Sequence, residues 1–137
     1  MNIFLRAREK IYINGAVIRV DRKATLELLN EATFLLENHV MQTQDATTPM
    51  RRIYFAIQVM LMDPSATTQA TTLARSLIQD AKGIYSSPEL LSGLRNVSSL
   101  IDRSRNFEAL KTLRALFPVE DQELHTMMAP QQQTVPA

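Results

Sequence analysis

The chain changes character at Asp45-Ala46-Thr47-Thr48-Pro49-Met50-Arg51-Arg52-Ile53-Tyr54-Phe55. Thr48 is a good N-cap, and Pro49 suits the first helical position, where its missing N–H is not required. Apolar residues then recur at Met50, Ile53, Tyr54, Ile57, Met60 and Leu61. That spacing predicts a helix, and Asp63-Pro64 ends it. Residues before this stretch read as β-structure and residues after it read as helix, so the stretch decides the fold class.

Upstream, Lys10-Ile11-Tyr12-Ile13 and Ala16-Val17-Ile18-Arg19-Val20 flank Asn14-Gly15. Asn-Gly is the strongest short hairpin signal, because a type I′ turn needs positive φ at both central residues. Asp21-Arg22-Lys23 turns the chain into Thr25–Leu29, and Asn30-Glu31 turns it again into Thr33–Glu37. His39-Val40-Met41 is a candidate for one more short pairing. The expectation is an antiparallel β-meander of four or five short strands over residues 1–42, with one apolar face to be covered.

Downstream, a second helix is expected to run to about Tyr85, with Ala66, Ala70, Leu73, Ala74, Leu77, Ile78, Ala81 and Ile84 on its apolar side. Ser87-Pro88-Glu89 starts a third, carrying Leu90, Leu94, Val97 and Ile101. A short fourth, with Phe107, Leu110, Leu113 and Phe117, is expected to stop at Pro118. Residues 43–118 therefore read as a helical sub-domain of about four helices, and the polar segment 119–137 as a disordered tail. Strands followed by helices predict an α+β fold.

Composition narrows the function. Hydrophobic residues make up 45% and charged residues 21% of the 137-residue chain, which suits a soluble globular protein. The net charge is +1, so nucleic-acid binding would rest on a local patch. There is no cysteine, which removes disulfides and thiolate chemistry. No apolar run approaches the roughly 20 residues needed to span a bilayer, and charge interrupts the N-terminus at Arg6. These features place the chain in the cytoplasm, away from membranes. Only His39 and His125 offer imidazole, three glycines cannot build a phosphate-cradling loop, and no cofactor or metal motif is present. His39 as a general base and Glu27 with Glu37 as a carboxylate pair are weaker readings than structural or solvated roles. The sequence argues for binding rather than catalysis.

Two features point to a surface. On a 100° wheel, the first helix carries Phe55, Val59 and Met62 opposite its main apolar side, with only Arg51, Arg52 and Gln58 strongly polar. Such a helix is either central to the fold or half of an interface. Arg51 and Phe55, four apart, are candidates for one contact surface, and an exposed Phe55/Val59/Met62 strip favours a homodimer. The β half supplies Arg6, Arg8, Lys10, Arg19, Arg22 and Lys23, a candidate phosphate-contacting cluster that also serves simply to keep a small sheet soluble.

Ile13-Asn14-Gly15-Ala16-Val17, Leu36–Met41, Asp45–Phe55 and Met60-Leu61-Met62-Asp63-Pro64 together resemble the FlbT family of flagellar regulators, and Phe107–Pro118 is similar to that family's later helix. The resemblance is close over residues 8–64, moderate over 107–118, and one of length and helical pattern between them. It implies a post-transcriptional regulator that associates with the 5′ untranslated region of flagellin mRNA and promotes its degradation. It also implies work alongside a second small regulator, FlaF. Some relatives activate flagellin synthesis instead. The family offers no assigned binding residues to transfer, and this chain begins almost at its first strand. From the residues themselves, Arg19, Arg22, Lys23, Arg51 and Arg52 are the expected phosphate contacts, with Tyr12, Tyr54 and Phe55 as stacking candidates. The alternative is a protein-interaction module that binds FlaF or flagellin and reaches the mRNA indirectly.

Overall fold

A computed structural model describes residues 1–128. Five short strands come first: β1 (Asn2–Leu5), β2 (Lys10–Ile13), β3 (Ala16–Arg19), β4 (Ala24–Glu27) and β5 (Phe34–Leu36). Four helices follow: α1 (Pro49–Met62), α2 (Thr67–Ile84), α3 (Pro88–Asp102) and α4 (Asn106–Met128). The architecture is the α+β one expected. No described helix is long and apolar enough to cross a membrane.

The strands form two small antiparallel sheets, a β1–β4 ribbon and a three-stranded sheet in the order β3-β2-β5. Pairing is therefore more divided than in a run of sequential hairpins. β1, which lies before the first strand expected from sequence, takes β4 as its partner, with Leu5 opposite Ala24. The His39–Met41 pairing does not form. Glu37–His39 makes a 3-10 turn, and the main chain of Met41 is held by the buried Gln58 side chain instead. Gln58 accepts from the Met41 N–H at 2.6 Å and donates to its carbonyl at 2.9 Å, doing with a side chain what a neighbouring strand would do.

Alternation along β2 and β5 sorts the core into two clusters. Ile11 and Phe34 point to one side and pack with Ile3 and Leu5 of the ribbon. Leu35 and the half-buried Tyr12 point to the other side and join the large helical core. The three-stranded sheet is thus a middle layer between the ribbon and α1. Eight of the fourteen α1 residues are buried, because α2, α4, β2 and β5 all pack on this helix. The central-helix reading of the wheel is the correct one for most of its circumference. Gly93 lets α3 approach α4 closely, since a Cβ there would run into Leu116.

The β2–β3 turn is built as its sequence demands, with φ of 48° at Asn14 and 85° at Gly15. A Cβ at Gly15 would also sit 2.9 Å from the Pro64 Cδ. Gly15→Ala is therefore expected to cost roughly 1–2 kcal/mol, from the left-handed backbone and from displacing Pro64. An unchanged urea midpoint in this variant would show that the turn is not held in this conformation.

The fourth helix corrects the expected stop at Pro118 and the expected disorder from residue 119. α4 passes through the exposed Pro118 and continues to Met128; residues 129–137 lie outside the described part. A proline inside a helix costs about 3 kcal/mol, because it forgoes one hydrogen bond and crowds the preceding turn. Tertiary contacts offset this. Val119 and Leu124 pack against the helical core, and Glu120 is fully buried among polar partners from α1 and the end of α2.

Candidate functional site

The candidate phosphate contacts fall into two groups. At one end of the β half, the Arg6–Glu9 turn and the Val20–Lys23 turn are stitched together. The Arg8 N–H donates to the Val20 carbonyl at 2.8 Å, and the Val20 N–H donates to the Glu9 carbonyl at 3.2 Å. Arg8 has a φ of 71°, the bulge that lets the first turn close against β3. Lys10 lies opposite Arg19 in the β2–β3 register. This brings Arg19, Arg22 and Lys23 together with Arg6, Arg8 and Lys10.

All of these except Lys10 are exposed. The acids nearby neutralise little of the patch. Glu9 caps the Arg6 N–H at 2.9 Å, Glu37 reaches Lys10 at 4.0 Å, and Asp21 lies 3.7 Å from Arg22 with both side chains more than 80% exposed. Pairs that exposed are screened and weak, so Arg22 remains available to an anion.

The α1 candidates separate. Arg51 is turned inward: its guanidinium makes a two-pronged contact with Asp121 at 2.8 and 3.0 Å, and Nη1 donates to Glu120 at 3.0 Å. It also lies 4.5 Å above the Phe117 ring. The hydrogen bond to Asp121 raises its pKa further. Arg51 is a structural clamp between α1 and α4, not a free phosphate contact. The sequence could not show this, because its partners lie beyond the expected helix stop.

Tyr54 is also removed from the list of stacking candidates. It is 2% exposed, its hydroxyl donates to the His39 carbonyl at 2.6 Å and accepts from Arg114 Nη1 at 3.0 Å, and burial pushes its pKa up. Tyr12 is half-buried and packs against the helical core. Burial, and then the Arg114 charge, hold His39 below its usual pKa, and its Nδ1 has no partner. A histidine placed this way is packed into the joint between the halves.

Arg52 is exposed and Phe55 half-buried, and they share a face of α1 with Val59 and Met62. The contact pair is therefore Arg52 with Phe55, three apart, rather than Arg51 with Phe55. Phe55, Val59 and Met62, with the Val40–Thr43 segment, line a shallow cleft of about 350 Å³. A larger cleft of about 1130 Å³ lies where the 28–34 loop meets the α3–α4 turn, but its charges are mixed, since Arg103, Arg105, Glu31 and Glu108 all line it. Arg105 is already committed to Glu108, its Nε donating at 2.7 Å.

The residue that sequence reading missed altogether is Glu120. Its carboxylate accepts from Thr48 Oγ1 at 2.6 Å, from the Met50 N–H at 2.8 Å, from Arg51, and from the Tyr85 hydroxyl. Burial and the bond to Glu120 hold Tyr85 protonated well above the ordinary tyrosine range. The only sequence signal was an acid in register with the apolar positions of a helix that had to be carried past Pro118. Among the described residues, no three His, Asp or Glu side chains gather as a metal site.

Comparison with known proteins gives a consistent answer. The family described as "Flagellar protein FlbT" matches residues 1–124. A protein of Brucella abortus (strain S19) named "Probable flagellum biosynthesis repressor protein FlbT" is 49% identical over 120 residues, covering 88% of this chain and 79% of its own length. One of the same name in Chelativorans sp. (strain BNC1) is 46% identical over 122 residues, covering 89% of this chain and 84% of its own. No solved structure matches.

Proposed function

We propose, from the premise that this chain belongs to the FlbT family, that it represses flagellum biosynthesis by engaging flagellin mRNA. In this reading it associates with the 5′ untranslated region and shortens the life of the message, and cellular nucleases perform the cleavage. The observation that carries the reading is the pair of stitched turns, which exposes Arg6, Arg8, Arg19, Arg22 and Lys23 at one end of the β half. Guanidinium and ammonium groups on short turns and at a strand end suit phosphate contacts along a single strand, and a net charge of only +1 over the whole chain limits indiscriminate binding. Arg52 with Phe55 is the remaining candidate for a cation beside a base-stacking ring.

The test is a binding titration of purified protein against the flagellin leader RNA across a salt series. Arg22→Glu/Lys23→Glu is expected to weaken binding by roughly tenfold or more and to flatten the salt slope by about one for each phosphate no longer neutralised. The variant should fold normally, because both side chains are exposed. No detectable affinity at low salt, or an unchanged slope in the variant, would sink direct contact through this end.

A second reading is favoured by the half-buried Phe55, Val59 and Met62 beside the Val40–Thr43 cleft. Here the chain binds FlaF or flagellin, and affects the message through that partner, as repressor or as activator. It requires co-elution with one of those proteins, sensitivity of the complex to Phe55→Glu, and RNA association that disappears when the partner is absent.

A further inference from the structure

We propose that two copies of this chain pair through the free edge of β3, joining their three-stranded sheets across a two-fold axis at Ile18. The hydrogen-bond register carries this inference. Ile13 and Ala16 close the two-residue Asn14-Gly15 turn, so that pair exchanges both its bonds. Alternation then makes Ile11 and Ile18 the next bonded pair, and the Val20 N–H reaching the Glu9 carbonyl continues the series. Ala16, Ile18 and Val20 thus bond inward to β2. The N–H and C=O groups of Val17 and Arg19 point away from the sheet, and no main-chain bond from a loop or turn reaches either residue among the described ones.

Edge strands are usually guarded by a proline, an inward-pointing charge or a bulge. β3 has none of these between Ala16 and Ile18. All four of its side chains are exposed, with Val17 at 60% and Ile18 at 41%. A short edge with two exposed β-branched residues and unused main-chain groups is a template for another strand.

The strand is complementary to itself. With Ile18 opposite the partner's Ile18, Val17 of each copy falls opposite Arg19 of the other. Each such pair is of the kind that exchanges two hydrogen bonds, so every outward group of Val17 and Arg19 on both strands is used. The two Ile18 side chains meet on the ribbon face, while Val17 lies beside the stem of the partner's Arg19 on the other. Charge selects the same arrangement. A parallel pairing would stack Arg19 on Arg19 and bring the two cationic ends side by side. The antiparallel pairing sends them to opposite ends of the joined sheet, and a net charge of +1 per chain adds little repulsion. Whether either end binds RNA does not enter the pairing, so the dimer stands or falls by itself.

The test is mass in solution. Light scattering or sedimentation at concentrations up to about 100 µM is expected to give twice the 15.5 kDa of one chain. Val17→Pro removes an outward N–H and leaves the bonds to β2 in place, so it should retain the native circular dichroism and weaken the dimer at least tenfold. Ile18→Glu and Ile18→Lys, each alone, should be monomeric, because the axis sets residue 18 against itself. Mixed in equal amounts they should dimerise again. Phe55→Glu should leave the dimer intact. A monomer at the top concentration, a Val17→Pro dimer of unchanged affinity, a mixture of the two Ile18 variants that stays monomeric, or a dimer lost in Phe55→Glu would each overturn the proposal.

Discussion

Glu120→Ala is expected to destabilise this protein by about 3–5 kcal/mol, read as a fall in the urea midpoint at unchanged slope. That is a large part of the total for a domain this size, since folded domains are stable by only about 5–15 kcal/mol. The carboxylate is fully buried and accepts from four donors at once. Without it the Met50 N–H at the start of α1 and the buried Tyr85 hydroxyl at the end of α2 both lose their acceptor inside the protein. Unmet buried donors cost about 1–3 kcal/mol each, more than the hydrogen bonds had contributed net. Arg51 suffers less, because its two-pronged contact with Asp121 survives. Glu120→Gln, which keeps the size and one acceptor oxygen, should lose less than Glu120→Ala. A loss below about 1 kcal/mol in the alanine variant would mean that the cluster is not assembled as described.

A chain ended after Phe117 is expected to lose cooperative folding. The ten residues of α4 from Val119 to Met128 do more than extend a helix. Glu120 and Asp121 anchor the start of α1, and Glu123 Oε1 accepts from the Ser87 N–H at 2.9 Å at the N-cap of α3. Val119 and Leu124 cover the helical core beside them. Removing all of this exposes the beginnings of two helices and the Tyr85 hydroxyl together, and the losses are coupled because Thr48, Met50, Arg51 and Tyr85 converge on one carboxylate. The measurement is thermal unfolding followed by circular dichroism, with no sharp transition expected. A truncated chain that melts as sharply and as late as the full chain would return residues 119–128 to the status of a dispensable tail.

These two expectations mark where residue order stops being informative. Thr48, Pro49 and the spacing of Met50, Ile53, Tyr54 and Ile57 specify α1 locally, and the helix forms where they place it. Asn14-Gly15 specifies a type I′ turn, and the turn is there with both positive φ values. Pro118 misled because a local rule met a non-local compensation, the burial of Glu120 some 70 residues from its partners on α1. His39–Met41 misled for the same reason: a strand-like run was claimed by the Gln58 amide before any strand could claim it.

The candidate site divides in the same way. The exposure of Arg22 and Lys23 was legible because turn residues are exposed by their position, whatever packs elsewhere, and that of Arg19 follows from its place at the end of an edge strand. Arg51 and Tyr54 were not, since a wheel shows which residues share a face of α1 but not what lies against it. Arg51 met Asp121 and Glu120, Tyr54 met Arg114 and His39, and only Arg52 was left facing outward beside Phe55.

Periodicity, caps and turn chemistry act over a few residues, so the order of strands before helices, the hairpin at Asn14-Gly15 and the start of α1 are determined by the chain alone. Strand partners, the length of α4 and the fate of each α1 side chain depend on groups far away in sequence. Their free energies come from burial and from hydrogen bonds between α1, the end of α2 and α4, which exist only once the helices have packed.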